Sequence, residues 1–262
     1  MTALPRPKTL LTQNSRLAKL KIVNWSIPAL ATRLPDGRTV STCPAAGICA
    51  LPCYARQGAY LWPSVKRRHQ ANLLFVLDDL RGWGEAMIAE LTRRNQRSKQ
   101  TLWVRVHDAG DYFSDDYLLE WLRVARVCPA VRIYSYTKEV ERFKRLVEPD
   151  PPENFFWVYS LGGREDHLLD PSVDRVADVF PDEESIIRAG WHPQTADDRL
   201  AVTGPAPVGM SVNNLPKAKK FIAGRRFSEI QVAYNRRRAA RRRHRPLRVA
   251  GRRAQQHASP NS

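Results

Sequence analysis

Two rhythms of apolar residues alternate along this chain. Short runs rich in β-branched and aromatic side chains, Leu20–Leu30 (LKIVNWSIPAL), Thr101–Val106 (TLWVRV), Val131–Tyr136 (VRIYSY) and Phe155–Ser160 (FFWVYS), read as strands. Asp36-Gly37 is a turn signal, and Thr39-Val40 returns as a short partner strand. Helical periodicity fills the intervals. Ser64–Leu77 follows Pro63, which suits a first helical turn, and Trp83–Arg93 places Met87, Ile88 and Leu91 on one side. Asp115–Arg126 buries Tyr117, Leu118, Trp121, Leu122 and Ala125. Ser114 caps it, Asp115 and Asp116 suit its positive end, and Pro129 stops it. A further helix spans Glu139–Leu146. Later the pattern weakens: an acidic stretch, Val173–Ile187, reads as a helix, Gly190–Pro193 breaks it, and Val202–Asn214 holds a last strand and loop. The first 18 residues are polar and basic, and read as poorly ordered.

Strand–helix–strand at this spacing argues for parallel pairing, hence an α/β fold with a mostly parallel sheet or a partial (β/α) barrel. Such folds bind ligands beyond the carboxyl ends of their strands. Three polar loops occupy that edge: His107–Ser114 (HDAGDYFS), Tyr136-Thr137-Lys138, and Ser160-Leu161-Gly162-Gly163. The organisation expected is one α/β domain over residues 1–235 and an arginine-rich disordered tail over 236–262.

Composition narrows the class. A chain of 262 residues with 43% hydrophobic and 9% aromatic content can bury a substantial core. No apolar run approaches the roughly twenty residues of a membrane span, and the N-terminus lacks the apolar core of a signal peptide, so a cytoplasmic protein without a membrane anchor is expected. Formal net charge is +17, with 43 Lys and Arg against 26 Asp and Glu. From Arg236 to Arg253 there are ten arginines and no acid. That segment has almost nothing apolar to bury, so it is expected to be disordered and to attract phosphate backbones, DNA or RNA. A solubilising tail and a contact with an anionic membrane surface are the blander readings.

Chemistry concentrates between Ser41 and Ala55. Cys43, Cys49 and Cys53 follow a C-x5-C-x3-C spacing, with prolines and small residues between them. Clustered thiols in a reducing compartment point to metal before disulfides. Structural zinc takes four closed ligands, and neither a CxxC pair nor a nearby histidine completes that set. Three cysteines suit a [4Fe-4S] cluster with one iron left open; zinc and a purely structural loop are the alternatives. Cys128 ends a buried helix and is set aside. Tyr54 can pack over a cofactor or belong to the core. His107, Asp108 and Asp111 are candidates for general acid–base work, for ribose contacts or for a metal, and equally for bracing a turn. Lys138 can hold a carboxylate or phosphate, or be solvated. Gly110, Tyr136 and Gly162 are the candidate cofactor-contacting positions, the glycines because backbone can approach closely there.

The segments TCPAAGICALPCYA, VRVHDAGDYFS and YSYTK together resemble a phage family, the gene product 88 proteins of actinobacterial viruses. The similarity spans roughly Asn24 to Ser160 and implies a phage-encoded protein of the host cytoplasm. The cysteine loop also resembles that of a second phage family similar to radical S-adenosylmethionine enzymes, which implies an iron–sulfur cluster with S-adenosylmethionine as cofactor. Its spacing departs from the usual C-x3-C-x2-C of those enzymes. Three functions compete: a radical enzyme acting on nucleic acid or nucleotide, a base-exchange enzyme using Asp108 or Asp111 as nucleophile, and a nucleic-acid-binding protein with a structural metal loop.

Overall fold

A computed structural model describes residues 4–212 and 216–243. In chain order the elements are α1 (Ser15–Lys19), β1 (Ile22–Trp25), β2 (Ala31–Arg33), β3 (Thr39–Ser41), α2 (Pro63–Asp78), α3 (Leu80–Arg97), β4 (Trp103–Val106), α4 (Asp115–Val127), β5 (Arg132–Thr137), α5 (Val140–Leu146) and β6 (Phe155–Ser160). There follow β7 (Val176–Phe180), α6 (Glu183–Arg188), β8 (His192–Pro193), α7 (Leu200–Thr203), β9 (Val208–Ser211), α8 (Pro216–Ile222) and α9 (Phe227–Arg243).

Seven strands form one sheet in the order β1-β4-β5-β6-β7-β9-β8, every pair parallel, while β2 and β3 make a separate antiparallel hairpin. The first five strands succeed one another across the sheet, as in a barrel, but the sheet stays open, with β1 and β8 at its edges. Alternation along each strand divides the side chains between two faces. Ile133, Val104 and Phe155 turn to the face covered by α2 to α5, and Ile22, Tyr134 and Trp103 turn to the face where α1 contributes Leu17. On the helix side Trp83 packs between Trp25 (5.5 Å) and Trp121 (5.0 Å) and against Tyr117 (5.4 Å). Truncating one such buried aromatic costs about 3–5 kcal/mol.

Several expectations shift. The N-terminal segment is anchored, not loose: Leu10 and Leu11 are buried, and both backbone N–H groups donate to the Glu90 carboxylate, at 2.5 and 3.3 Å. β1 is shorter than its apolar run: it starts only after Lys21, whose backbone is left-handed (φ 57°), and it ends at Trp25. α3 starts earlier, where the Asp79 side chain accepts from the Gly82 N–H. The stretch expected as one helix over Val173–Ile187 is a strand, β7, followed by a short helix, α6, with a capping box between Asp182 and Ser185. Asp178 misleads a sequence reading there. It is a wholly buried carboxylate in mid-strand, accepting from Ser228 Oγ (2.6 Å) at the start of α9. The tail boundary moves as well. α9 runs without a break through Arg236 to Arg243, because its docked first turns nucleate a helix that arginines extend readily. The remainder of the expected tail lies outside the described residues.

Candidate functional site

The segment between β3 and α2 carries the three thiols. Its prolines and glycines permit only single 3-10 turns, at Ile48–Ala50, Tyr54–Arg56 and Gly58–Leu61. Its backbone is instead tied to four neighbours. The Asp111 N–H donates to the Thr42 carbonyl (2.9 Å), and Ala45 N–H donates to Glu139 Oε1 (2.8 Å). The Arg164 N–H returns to the Ala45 carbonyl (2.8 Å), Ala46 bridges Gly163, and the Cys49 N–H reaches the Gly162 carbonyl (3.3 Å). Finally Ile48 N–H donates to Gln231 Oε1 of α9 (2.7 Å). The cysteine loop therefore lies across the carboxyl ends of β4, β5 and β6, the edge at which parallel sheets bind ligands. Gly47 permits this threading, since a Cβ there would stand 2.2 Å from Gln231 Oε1 and 2.6 Å from the Gly162 carbonyl.

All three thiols are free and half-buried, and share one neighbourhood: Cys43 feels the charges of Asp111, Cys49 and Cys53. Burial pushes each of them up, so without a cation they stay protonated. For Cys49 the Lys138 ammonium opposes that rise. Among the described residues no three His, Cys, Asp or Glu side chains have the geometry to hold a single metal ion. The donor set is three free thiols carried on one loop. Cys128 caps α4 just before β5, at the opposite, amino edge of the sheet, and is no part of this set.

The HDAGD loop meets the cysteine loop at this edge, but its residues diverge. His107 is buried on the helix face, 4% exposed. Trp25 Nε1 donates to the Tyr117 hydroxyl (2.7 Å), which leaves that hydroxyl's proton for His107 Nε2 (2.8 Å). Burial pulls His107 down to about 3, and its Nδ1 has no partner. A histidine held neutral among aromatic rings braces the core and is not placed to meet a ligand. Asp108 faces the other way, its carboxylate accepting from Tyr60 (2.8 Å) and Asn14 (3.1 Å) with Arg105 at 3.6 Å. Asp111 accepts from Tyr112 N–H (2.9 Å), Thr137 Oγ1 (2.8 Å) and Lys138 N–H (3.0 Å), so it staples the β4 loop to the β5 loop.

Lys138 is not solvated. Its three ammonium protons meet Ser160 O (2.6 Å), Ser160 Oγ (3.0 Å) and Leu161 O (2.8 Å), and none is left for a substrate phosphate in this arrangement. Tyr54 reaches from beside Cys53 to the Asp108 carbonyl (2.5 Å), joining the two loops. Tyr136 lies under the Arg105 guanidinium (5.0 Å), and its buried hydroxyl has no partner. Gly110 and Gly162, at φ 88° and 94°, are required by their turns. A Cβ at Gly110 would strike Ile27 at 2.3 Å, and one at Gly162 would press on Phe227 at 3.1 Å, so both are packed against protein.

Residues not singled out from sequence complete the site. Glu139 lies under the cysteine loop, held by Ala45 N–H and ion-paired to Arg142, and burial beside Asp111 pushes it up to about 8. Asp166 gathers the Gly162 and Gly163 N–H groups, both at 2.8 Å. Arg105 and Tyr134 converge on Asp198, at 3.2 and 2.6 Å. Glu139 and Asp198 carry no local motif, because Ala45, Arg105 and Tyr134 lie tens of residues from them.

Residues 7–245 match a family profile described as Gene product 88. Over 109 residues, 40% of its length, the chain is 33% identical to the Gene 88 protein of Mycobacterium phage L5, covering 46% of that protein. Over 109 residues it is 30% identical to the Gene 88 protein of Mycobacterium phage D29, covering 45% of it. In these alignments the chain spans less than half the length of the curated relatives it matches. No solved structure matches it. With nearly the whole sequence aligned to the family profile, the chain belongs to the Gene product 88 family.

Proposed function

We propose that Cys43, Cys49 and Cys53 hold a [4Fe-4S] cluster in an enzyme of radical S-adenosylmethionine type that acts on nucleic acid or a nucleotide. The observation that carries this reading is the position of the three thiols: one loop, pinned across the carboxyl edge of a progressively wound parallel sheet. When bound, such a cluster supplies one electron for reductive cleavage of a sulfonium. The chain's own residues do the holding. Glu139, Gly162 and Gln231 fix the backbone around the thiols, and the buried Lys138 charge favours the thiolate at Cys49. A reading with Asp108 or Asp111 as nucleophile has less support, since both carboxylates are already spent on protein donors.

The nucleic-acid part of the proposal rests on α9. Phe227, Ile230 and Gln231 dock its first half beside the cysteine loop, while Arg236, Arg237, Arg238 and Arg241 are exposed beyond it. A phosphate backbone gripped there is brought towards the thiols. Anaerobically purified protein is expected to carry iron and acid-labile sulfide. Cys43→Ala, Cys49→Ala and Cys53→Ala each abolish both, whereas Cys128→Ala keeps them. One equivalent of zinc with no iron would overturn the assignment.

A further inference from the structure

Where the cysteine loop runs into α2, the surface is apolar and basic at once. From Gly37 to Leu77 the sequence contains no Asp or Glu, so this loop and nearly all of α2 bring no acid of their own. Arg38 is taken up by Asp36 (2.6 Å) and Asp78 (2.7 Å), and Arg68 donates to the Thr9 carbonyl. Arg56, Lys66 and Arg67 are exposed, and among the described residues none of them forms an ion pair. Between these cations in the chain stand Leu61 and Trp62, 49% and 62% exposed. Two large apolar neighbours left in water and rimmed by unpaired cations mark an interaction surface.

The support of that surface is rigid. The Trp62 N–H donates to the Ala59 carbonyl (3.1 Å), the Trp62 carbonyl accepts from the Lys66 N–H (3.0 Å), and Pro63 fixes the chain as it enters α2. In the preceding turn Tyr60 packs edge-on against Tyr54 (5.7 Å) and donates to Asp108 (2.8 Å). Trp62 is therefore held ready for a partner, at little ordering cost on binding. Lys66 lies one helical turn from it. Arg56 closes the 3-10 turn that follows Cys53: its N–H donates to the Cys53 carbonyl (3.2 Å), and its charge opposes the rise that burial imposes on the Cys53 thiol. The surface thus adjoins the thiols.

A polyanion with flat apolar faces answers both halves of this surface. Unpaired bases offer such faces to an exposed indole, whereas a duplex keeps them stacked inside, and the phosphates between them meet the cations. The helix α9, with its exposed arginines, docks on the same loop at Ile48. We propose that Trp62 stacks on an unpaired base of a single-stranded nucleic acid, while Arg56, Lys66 and Arg67 hold the phosphates that flank it. Such docking rests on the nucleic-acid reading given above and requires no cluster between the thiols.

The test is fluorescence anisotropy of the full chain with end-labelled oligonucleotides of about 20 nucleotides, single-stranded and duplex, over a range of salt. Trp62→Ala is expected to weaken single-strand binding about tenfold with the salt slope unchanged, and Trp62→Phe to restore most of that loss. Replacing Arg56, Lys66 and Arg67 together by glutamine should flatten the slope of log affinity against log salt by roughly 2, about 0.7 for each contact. All four side chains are exposed, so these variants are expected to keep the wild-type thermal midpoint. Duplex binding should not respond to Trp62→Ala. Wild-type single-strand affinity in Trp62→Ala, an equal loss on the duplex, or an unchanged slope in the glutamine variant overturns the proposal and leaves the α9 arginines as the nucleic-acid contact. No binding of the full chain to any strand overturns it together with that reading, whatever the iron content. Self-association that Trp62→Ala abolishes without any effect on nucleic acid would assign the surface to a second copy of the chain instead.

Discussion

At the scale of single residues, acids of one short motif separate by what surrounds them. The Asp111 carboxylate accepts from three donors. Asp111→Asn puts an amide N–H against one of those donors, and a buried unmet pair costs about 1–3 kcal/mol. Urea denaturation is expected to show that loss, and an unchanged midpoint would reveal an adaptable site. His107 gives a prediction in pH. Its native value is pulled from the ordinary 6.5 to about 3 by burial, so between those values the unfolded chain takes up a proton that the native protein refuses. The contribution is fully present above pH 6.5 and is lost as pH falls towards 3. His107→Phe should flatten that acid-side decline by at most one proton's worth of slope, measured as stability against pH. His69, also pulled down by burial, leaves a residual slope.

At the scale of elements, periodicity located β4, α4, β5, α5 and β6 well, because each pairs a strong apolar pattern with local start and stop signals such as Ser114 and Pro129. It failed where a long-range partner decides the outcome. Asp178 interrupts the β7 run and is tolerated only because Ser228 answers it, fifty residues on. Leu10 and Leu11 are held by Glu90, whose role no neighbouring residue announces. The cysteines were legible as a cluster, and the edge they occupy followed from parallel pairing. Gln231 was not legible, since nothing near it in sequence marks it as the support of Ile48. Gln231→Leu leaves the Ile48 N–H without its acceptor in a buried place. Local opening of the loop should rise about tenfold or more, read as faster amide exchange or protease nicking between residues 44 and 62. Unchanged exchange there would mean that the contacts to Gly162 and Glu139 suffice alone.

At the scale of the whole molecule, charge and core are segregated. Ten arginines, more than half of the net charge of +17, fall between Arg236 and Arg253. The apolar residues that dock α9, Phe227 and Ile230, precede them. Gln231 is buried, whereas Arg236 onward meets solvent as far as Arg241. A chain ended after Asn235 therefore keeps the buried contacts of Phe227, Ile230 and Gln231 and loses the arginines as a block. Its thermal stability and its metal content should match those of the full chain. Its affinity for single-stranded nucleic acid should fall, and the slope of log affinity against log salt should flatten by roughly 0.7 for each phosphate contact removed. The helical start at Arg236 sharpens the expectation. Arginines on consecutive turns are already fixed in spacing, so the first of them grip phosphates with less ordering cost than a flexible arm requires. Substituting Arg236, Arg237, Arg238 and Arg241 by glutamine should thus remove more of the slope per arginine than substituting Arg248, Arg252 and Arg253. Equal slopes for the full and shortened chains would detach this helix from nucleic-acid binding, and would leave its docking beside the thiols as a purely structural buttress.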